Sequence, residues 1–334
     1  MTGWTEEGLI RSWRALAKQD GDEKARYVHL TKIGDISVEA GCHFPLGQEG
    51  LVFCFPRAQS IDTARLPEGK GFDVSIADQD GSHFGATSIA LIRKSEGSPD
   101  IFALLAVDIL RTLEIAFDDG TQDVLEAFFE RLKEWQGFMS RTQRPLSPDA
   151  QLGLLGELWF LNALAQTSLE NRALDCWQGP LRAAQDFRIN GGAAEIKSTL
   201  KTGSFVARIN SIEQLDGAAS PLYLCGLRFE EKSDGVSLVS LVAELRSKFQ
   251  SAGAQRGFNA LLMVAGYLDE HHHLYDRAVS LKETKIFRVE GDVPRLIRTQ
   301  LPSAIRSARY DLDLDAIESP SCELEDVFTA FGLD

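Results

Sequence analysis

The sequence predicts an α/β protein in two parts, an N-terminal α+β module followed by a second domain built on a mixed β-sheet flanked by helices. Three observations carry this. Short β-like runs punctuated by glycine fill residues 33–100 and are followed by two helical segments; a loop-like stretch rich in polar residues and proline spans 141–148; and the second half then runs helix, hairpin, strand, helix, strand. The boundary is placed there, giving 1–145 and 146–334.

Residues 4–20 carry helical spacing. The runs DISVEA, GLVFCF, GFDVSIAD and ATSIALIRK are predicted strands, with Asp80-Gly81 as a turn signal before the last. Segments 101–117 and 121–140 return to helical periodicity. In the second half a helix is predicted over 148–166, capped by Ser147 or Asp149. DFRI and AEIKS form a hairpin, PLYLCGLRF and NALLMVAGYL read as buried strands, and VSLVSLVAELRSKFQ is a helix between them.

Composition narrows the function classes. Of 334 residues, 35 are Lys or Arg and 49 are Asp or Glu, a formal charge of −14, so the chain is not a general nucleic-acid coat; that would need positive potential. Two windows run against the acidic total. Residues 182–208 hold Arg182, Arg188, Lys197, Lys201 and Arg208 against two acids, and 293–309 hold Arg295, Arg298, Arg306 and Arg309 with none. An anionic partner is expected at these windows. No apolar run nears the roughly 18–20 residues that cross a bilayer, and the first residues carry no signal-peptide pattern, so a cytoplasmic location without membrane contact is expected. The five cysteines, Cys42, Cys54, Cys176, Cys225 and Cys322, fit no zinc spacing or disulfide framework and read as reduced thiols.

The chemistry concentrates in residues 186–199. Asn190-Gly191 between alternating runs predicts a two-residue type I′ turn, pairing Ile189 with Gly192 and bringing Asp186 opposite Glu195. Alternation then puts Asp186, Glu195 and Lys197 on one face and Phe187, Ile189 and Ile196 on the other. Opposed carboxylates repel, so the pair asks for a cation, either Lys197 or a hard divalent metal with oxygen ligands. The competing reading is an exposed hairpin with a cross-strand ion cluster. Upstream, Glu157 is the only charged residue between Asp149 and Glu170, on an otherwise apolar helix face, where a carboxylate needs a partner: a metal, a hydrogen-bond donor or a capping arginine. Gln214 is read either as a surface glutamine or as a contact near a phosphate.

Helix with an acid, Asp at a strand start, then Glu-x-Lys on the next strand: this order resembles the PD-(D/E)XK nuclease superfamily. The context LGLLGELWFLNAL, Trp177-Gln-Gly-Pro180, DFRI, EIKST and Gln214-Leu is similar to a PD-(D/E)XK family of bacterial proteins associated with restriction and phage-defence loci. The resemblance implies a restriction-endonuclease-like core that hydrolyses DNA with Mg²⁺, Mn²⁺ substituting. Asp186 and Glu195 would be metal ligands, Lys197 would orient or help deprotonate the attacking water, and Glu157 would be an auxiliary helix carboxylate and ligand. Gln214 would contact DNA, and the N-terminal module would position substrate or recruit partners; from the charge pattern, Arg295, Arg298, Arg306 and Arg309 either track DNA phosphates or are solvated arginines that offset an acidic surface. Implied partners are DNA, other restriction or defence proteins and a second copy of the chain. The residue before Asp186 is Gln185 where the family pattern has proline. The alternative functions are a non-catalytic DNA- or protein-binding subunit of a defence complex, or hydrolysis of another phosphodiester such as RNA.

Other features read as structural. His271, His272 and His273 are adjacent, share no face and fall in a polar turn. Gly191 and Gly192 open no phosphate loop, the five tryptophans are too dispersed for a stacking platform, and no nucleophile elbow is present.

Overall fold

The computed structural model describes residues 6–18, 25–56, 61, 66–77, 87–118, 123–140, 144–217 and 219–333. The chain is mixed α/β and divides into two compact units, Met1–Thr142 and Gln143–Asp334. The Asp80-Gly81 turn, Trp4 and the ends of the predicted first helix lie outside the described residues.

In the first unit, helix α1 (Glu6–Ala17) precedes strands β1 (Ala25–Ile33), β2 (Ile36–His43), β3 (Gln48–Phe55), β4 (Phe72–Ile76) and β5 (Thr87–Arg93). They form one antiparallel sheet ordered β1-β2-β3-β5-β4. Helices α2 (Pro99–Asp118) and α3 (Val124–Ser140) follow. The core gathers apolar side chains from both layers, with Phe53 and Phe128 edge to face at 5.0 Å. One buried acid latches the helices: Asp108 accepts from Arg131 Nε and Nη2 at 2.6 and 2.8 Å and from Trp135 Nε1 at 2.7 Å. Strand β1 was not expected. It is an edge strand with a bulge between His29 and Thr31, and it exposes side chains without regular alternation, so the period-2 signal is missing.

The second unit opens with α4 (Pro148–Leu164); Ser147 caps it by accepting from Ala150 N, and Pro148 fills the first helical position. After the short α5 (Ala173–Cys176) come β6 (Phe187–Ile189), β7 (Gly192–Thr199), β8 (Val206–Ile209) and β9 (Leu222–Ser237). Then follow α6 (Leu238–Lys248), α7 (Ala252–Val264), β10 (Ala278–Arg288), β11 (Tyr310–Asp313) and α8 (Leu324–Ala330). The main sheet runs β10-β9-β7-β6 and is mixed: β7 and β9 are parallel, the other pairs antiparallel. A β8–β11 ribbon adds a second layer, and Ile209 and Leu312 from it, with Phe205 just before β8, cluster with Leu224 and Phe287 of the sheet.

One expected strand is corrected. Residues 259–264 of NALLMVAGYL lie in α7, which Ser251 caps by accepting from Ala254 N, and the chain leaves it through Gly266 at φ +90°. A short apolar run does not distinguish a buried strand from a buried helix. The strand beside β9 is instead AVSLKETKIFR, whose charged residues pair across the ladder, as in Lys282 with Glu230. None of the five cysteines forms a disulfide, and Cys42, Cys54 and Cys225 are buried. Among the described residues no helix is long and apolar enough to cross a membrane.

Candidate active site

The hairpin that carries the site has the predicted register, with Ile189 facing Gly192 and Phe187 facing Ala194. Asn190 (φ +48°) and Gly191 (φ +89°) supply the two left-handed residues a type I′ turn needs. Asn190 Nδ2 also donates to Phe331 O, fastening the turn to the C-terminal segment. The ladder ends at Phe187–Ala194, one step short of the expected Asp186–Glu195 pair. Asp186 reaches its neighbour through its side chain: Oδ2 accepts from Ile196 N at 2.7 Å, while its carbonyl accepts from Gln178 N and Gly179 N.

Glu195 sits on β7, between β6 and β9, and is fully buried. That placement excludes the exposed hairpin ion cluster. Its Oε1 accepts from Lys197 Nζ at 2.5 Å and from Gln214 Nε2 at 2.6 Å. Its Oε2 is buried with no hydrogen-bond partner. Glu157 approaches from α4, which Gly156 allows to lie close against Ser198 of β7; a Cβ on that glycine would overlap the serine hydroxyl. The partner of Glu157 is the indole of Trp177, whose Nε1–H donates to Oε2 at 2.8 Å, and not the capping arginine entertained from sequence.

Gly179 joins the acids in space. A Cβ there would lie 2.5 Å from Glu157 Oε2 and 3.1 Å from Asp186 Oδ1, so both oxygens face one small volume that only a glycine leaves open. The structure therefore brings Glu157, Asp186, Glu195, Lys197 and Gln214 into one cluster and adds Trp177 and Gly179. Trp177 entered the sequence reading within the stretch Trp177-Gln-Gly-Pro180 and otherwise as a core or interface candidate; it is fully buried, and nothing in the sequence announced the use of its N–H.

The electrostatics follow from packing acids together. Burial, and then the charge of Asp186, pushes the Glu195 carboxyl up to about 8 against the pull of Lys197. Burial and Asp186 hold Glu157 well above the usual carboxylate range despite the Trp177 hydrogen bond. Asp186 is raised by burial, with Lys197 and the Ile196 N–H opposing. For Lys197 burial works against the charge, but Glu195 and Asp186 outweigh it and its pKa is raised. Among the described residues no group of three or more His, Cys, Asp or Glu is placed so that it could by itself hold a metal ion. The chemistry of the donor set nevertheless fits a hard cation: oxygens of Glu157 and Asp186 face a space kept free of a side chain, and Glu195 of the same cluster keeps one buried oxygen unpartnered.

The basic segment behaves unevenly. Arg298 spends its guanidinium on the carbonyls of Ile305 and Arg306, and Arg295 bonds to Val293 O, whereas Arg306 and Arg309 are exposed. The segment is tied to the turn bearing Gln214 by Arg298 N donating to Asp216 Oδ2. The histidines occupy the 3-10 turn Asp269–Leu274, where His272 and His273 are exposed.

A family model described as "Putative PD-(D/E)XK family member (DUF4420)" matches residues 9–315. No curated protein and no solved structure matches the chain.

Proposed function

The chain belongs to this family, and from that premise we propose that it is a metal-dependent DNA endonuclease working within a restriction or phage-defence system. The observation that carries the reading is the buried, unpartnered Oε2 of Glu195 in a cluster of three carboxylates and one lysine. Fully ionised, the cluster is short by two positive charges. In a packed site such an excess is relieved either by protons, hence the raised carboxyls, or by a divalent cation.

Asp186 and Glu195, with Glu157 as the auxiliary acid, are the residues that would hold Mg²⁺, or Mn²⁺ in its place. The ion would supply Lewis acidity toward the phosphate and an acidified water. The protein's own part is positional. Lys197, fixed on Glu195, would offer its ammonium to orient the attacking water and to meet charge developing on the phosphate. Trp177 holds Glu157 in place, and Gly179 keeps the space clear. Arg306 and Arg309 offer sequence-independent contacts to the DNA backbone.

The test is hydrolysis of duplex DNA, methylated and unmodified, with and without Mg²⁺ or Mn²⁺. Asp186→Ala and Glu195→Ala should lose metal binding and cleavage together, because each removes an oxygen donor. DNA binding without cleavage under every metal condition would instead assign the chain as a binding subunit.

A further inference from the structure

Position 185 holds glutamine where the motif's first letter calls for proline, and the structure gives that glutamine a task. Gln185 is 2% exposed, and its Nε2 donates to the carbonyls of Glu213 at 2.6 Å and Gln214 at 3.4 Å. Both carbonyls lie at the end of the 3-10 turn Ile212–Gln214. The turn wraps the amide closely, since a Cβ on Gly217 would come within 2.7 Å of Gln185 Nε2.

The side chain of Gln214 projects from the same turn onto Glu195. Its Nε2 donates to Glu195 Oε1 at 2.6 Å, and its Oε1 accepts from Asn210 N at 2.7 Å. The orientation of this amide follows from its partners: a flip would set oxygen against carboxylate and NH₂ against a backbone donor. Chemistry thus runs unbroken from Gln185, adjacent to Asp186 in the chain, through the turn to the oxygen of Glu195 that Lys197 also holds. With Oε1 doubly engaged, the carboxylate plane is pinned and Oε2 is left as the open oxygen.

We infer that Gln185 and Gln214 are a coupled pair of positioning residues: Gln185 sets the turn, and Gln214, from that turn, aims Glu195 for a divalent cation. A proline at 185 would offer no donor to the two carbonyls. Both amides are engaged with protein partners, so the pair acts through Glu195, in place of the phosphate contact expected of Gln214, and the inference rests on the metal-binding reading above. Groups that orient a metal's ligands in this way typically change affinity by about 10- to 100-fold when removed.

The experiment is calorimetric titration of Mn²⁺ into the full chain, comparing wild type, Gln185→Met, Gln214→Met and the double variant, each with its Tm. Methionine keeps the volume and removes the donors. Each single variant is expected to bind Mn²⁺ roughly 10- to 100-fold more weakly, and the double no more weakly than the poorer single, because both act on one oxygen. A merely structural Gln185 would lower Tm and leave Mn²⁺ affinity unchanged, which overturns the inference, as would effects that multiply in the double. Should Gln185→Met not fold, Gly217→Ala, which keeps Gln185 but crowds its amide, carries the same test; wild-type affinity in that variant overturns the pairing. Absence of Mn²⁺ binding by the wild type overturns both this inference and the nuclease reading. Binding by the wild type with unaltered variants overturns the inference alone.

Discussion

Gly179→Ala adds one methyl group and nothing else. The backbone of Gly179 lies outside the left-handed region, so alanine is sterically compatible with its conformation, and the bond from its N–H to Asp186 O is kept. The new Cβ would sit 2.5 Å from Glu157 Oε2 and 3.1 Å from Asp186 Oδ1. Relief to an ordinary contact demands that the Glu157 carboxylate retreat by about 1 Å, at the expense of its 2.8 Å bond from Trp177. Losing that bond leaves the buried Trp177 N–H unsatisfied, which costs about 1–3 kcal/mol, and the stiffer unfolded chain returns about 0.4–1 kcal/mol. A loss of about 1–2 kcal/mol leaves a domain of ordinary stability folded. Mn²⁺ affinity should suffer more, since a misplacement of about 1 Å in a positioned group can cost about 10²-fold in function. The matched control is Gly153→Ala in α4, the helix that carries Glu157, where a Cβ meets nothing within 4 Å and stability should hold or rise by up to about 1 kcal/mol. Calorimetric titration and thermal melts of the three proteins make the assay. Wild-type Mn²⁺ affinity in Gly179→Ala would refute the shared carboxylate volume.

Acidity supplies a second prediction. A Glu195 carboxyl raised to about 8 keeps a proton that the unfolded chain has released, so its contribution to metal-free stability is full below 4.5 and is lost as pH climbs through about 8. Mn²⁺ competes with that proton, so Kd should tighten between about pH 6 and about pH 8.5, by up to about tenfold per pH unit; a flat Kd would contradict the buried acid. Arg306→Ala with Arg309→Ala should lower the salt slope of DNA binding by about 1 to 2, at ~0.9 per phosphate contact, and an unchanged slope would remove these residues from the interface. Arg298 is a poor choice for that test because it braces its own loop. Asp108→Ala strips a buried acid from Arg131 and Trp135 and should destabilise the first unit by about 3 kcal/mol or more in urea unfolding; a loss under about 1 kcal/mol would show the latch to be dispensable.

The parts of the site that could be read from sequence are those set by local rules. Asn190-Gly191 announces its turn because few residues tolerate positive φ at both positions, and the turn then determines the faces of Glu195 and Lys197. Glu157 stands out because a lone acid in an apolar helix needs a reason. What stayed hidden depends on juxtapositions across the chain. Trp177 meets Glu157 twenty residues away, Gly179 fits between two acids, and Gln185 reaches a turn 28 positions on. None of these leaves a periodicity. In the fold, α7 was read as a strand because apolar runs lack a distinguishing period, and β1 and β10 were missed because exposed, charged strand faces dilute alternation.

The central claim is that this cluster hydrolyses DNA with a bound metal, and the most direct measurement compares wild type with Lys197→Ala in single-turnover cleavage of a duplex at saturating Mn²⁺, with metal occupancy and fold checked on the same samples. Lys197→Ala retains all three carboxylates, so Mn²⁺ and DNA should still bind while cleavage slows by about 10² or more, the scale for loss of a water-positioning or charge-stabilising group. Equal cleavage by the two proteins would contradict the account, because the chemistry would then reside elsewhere.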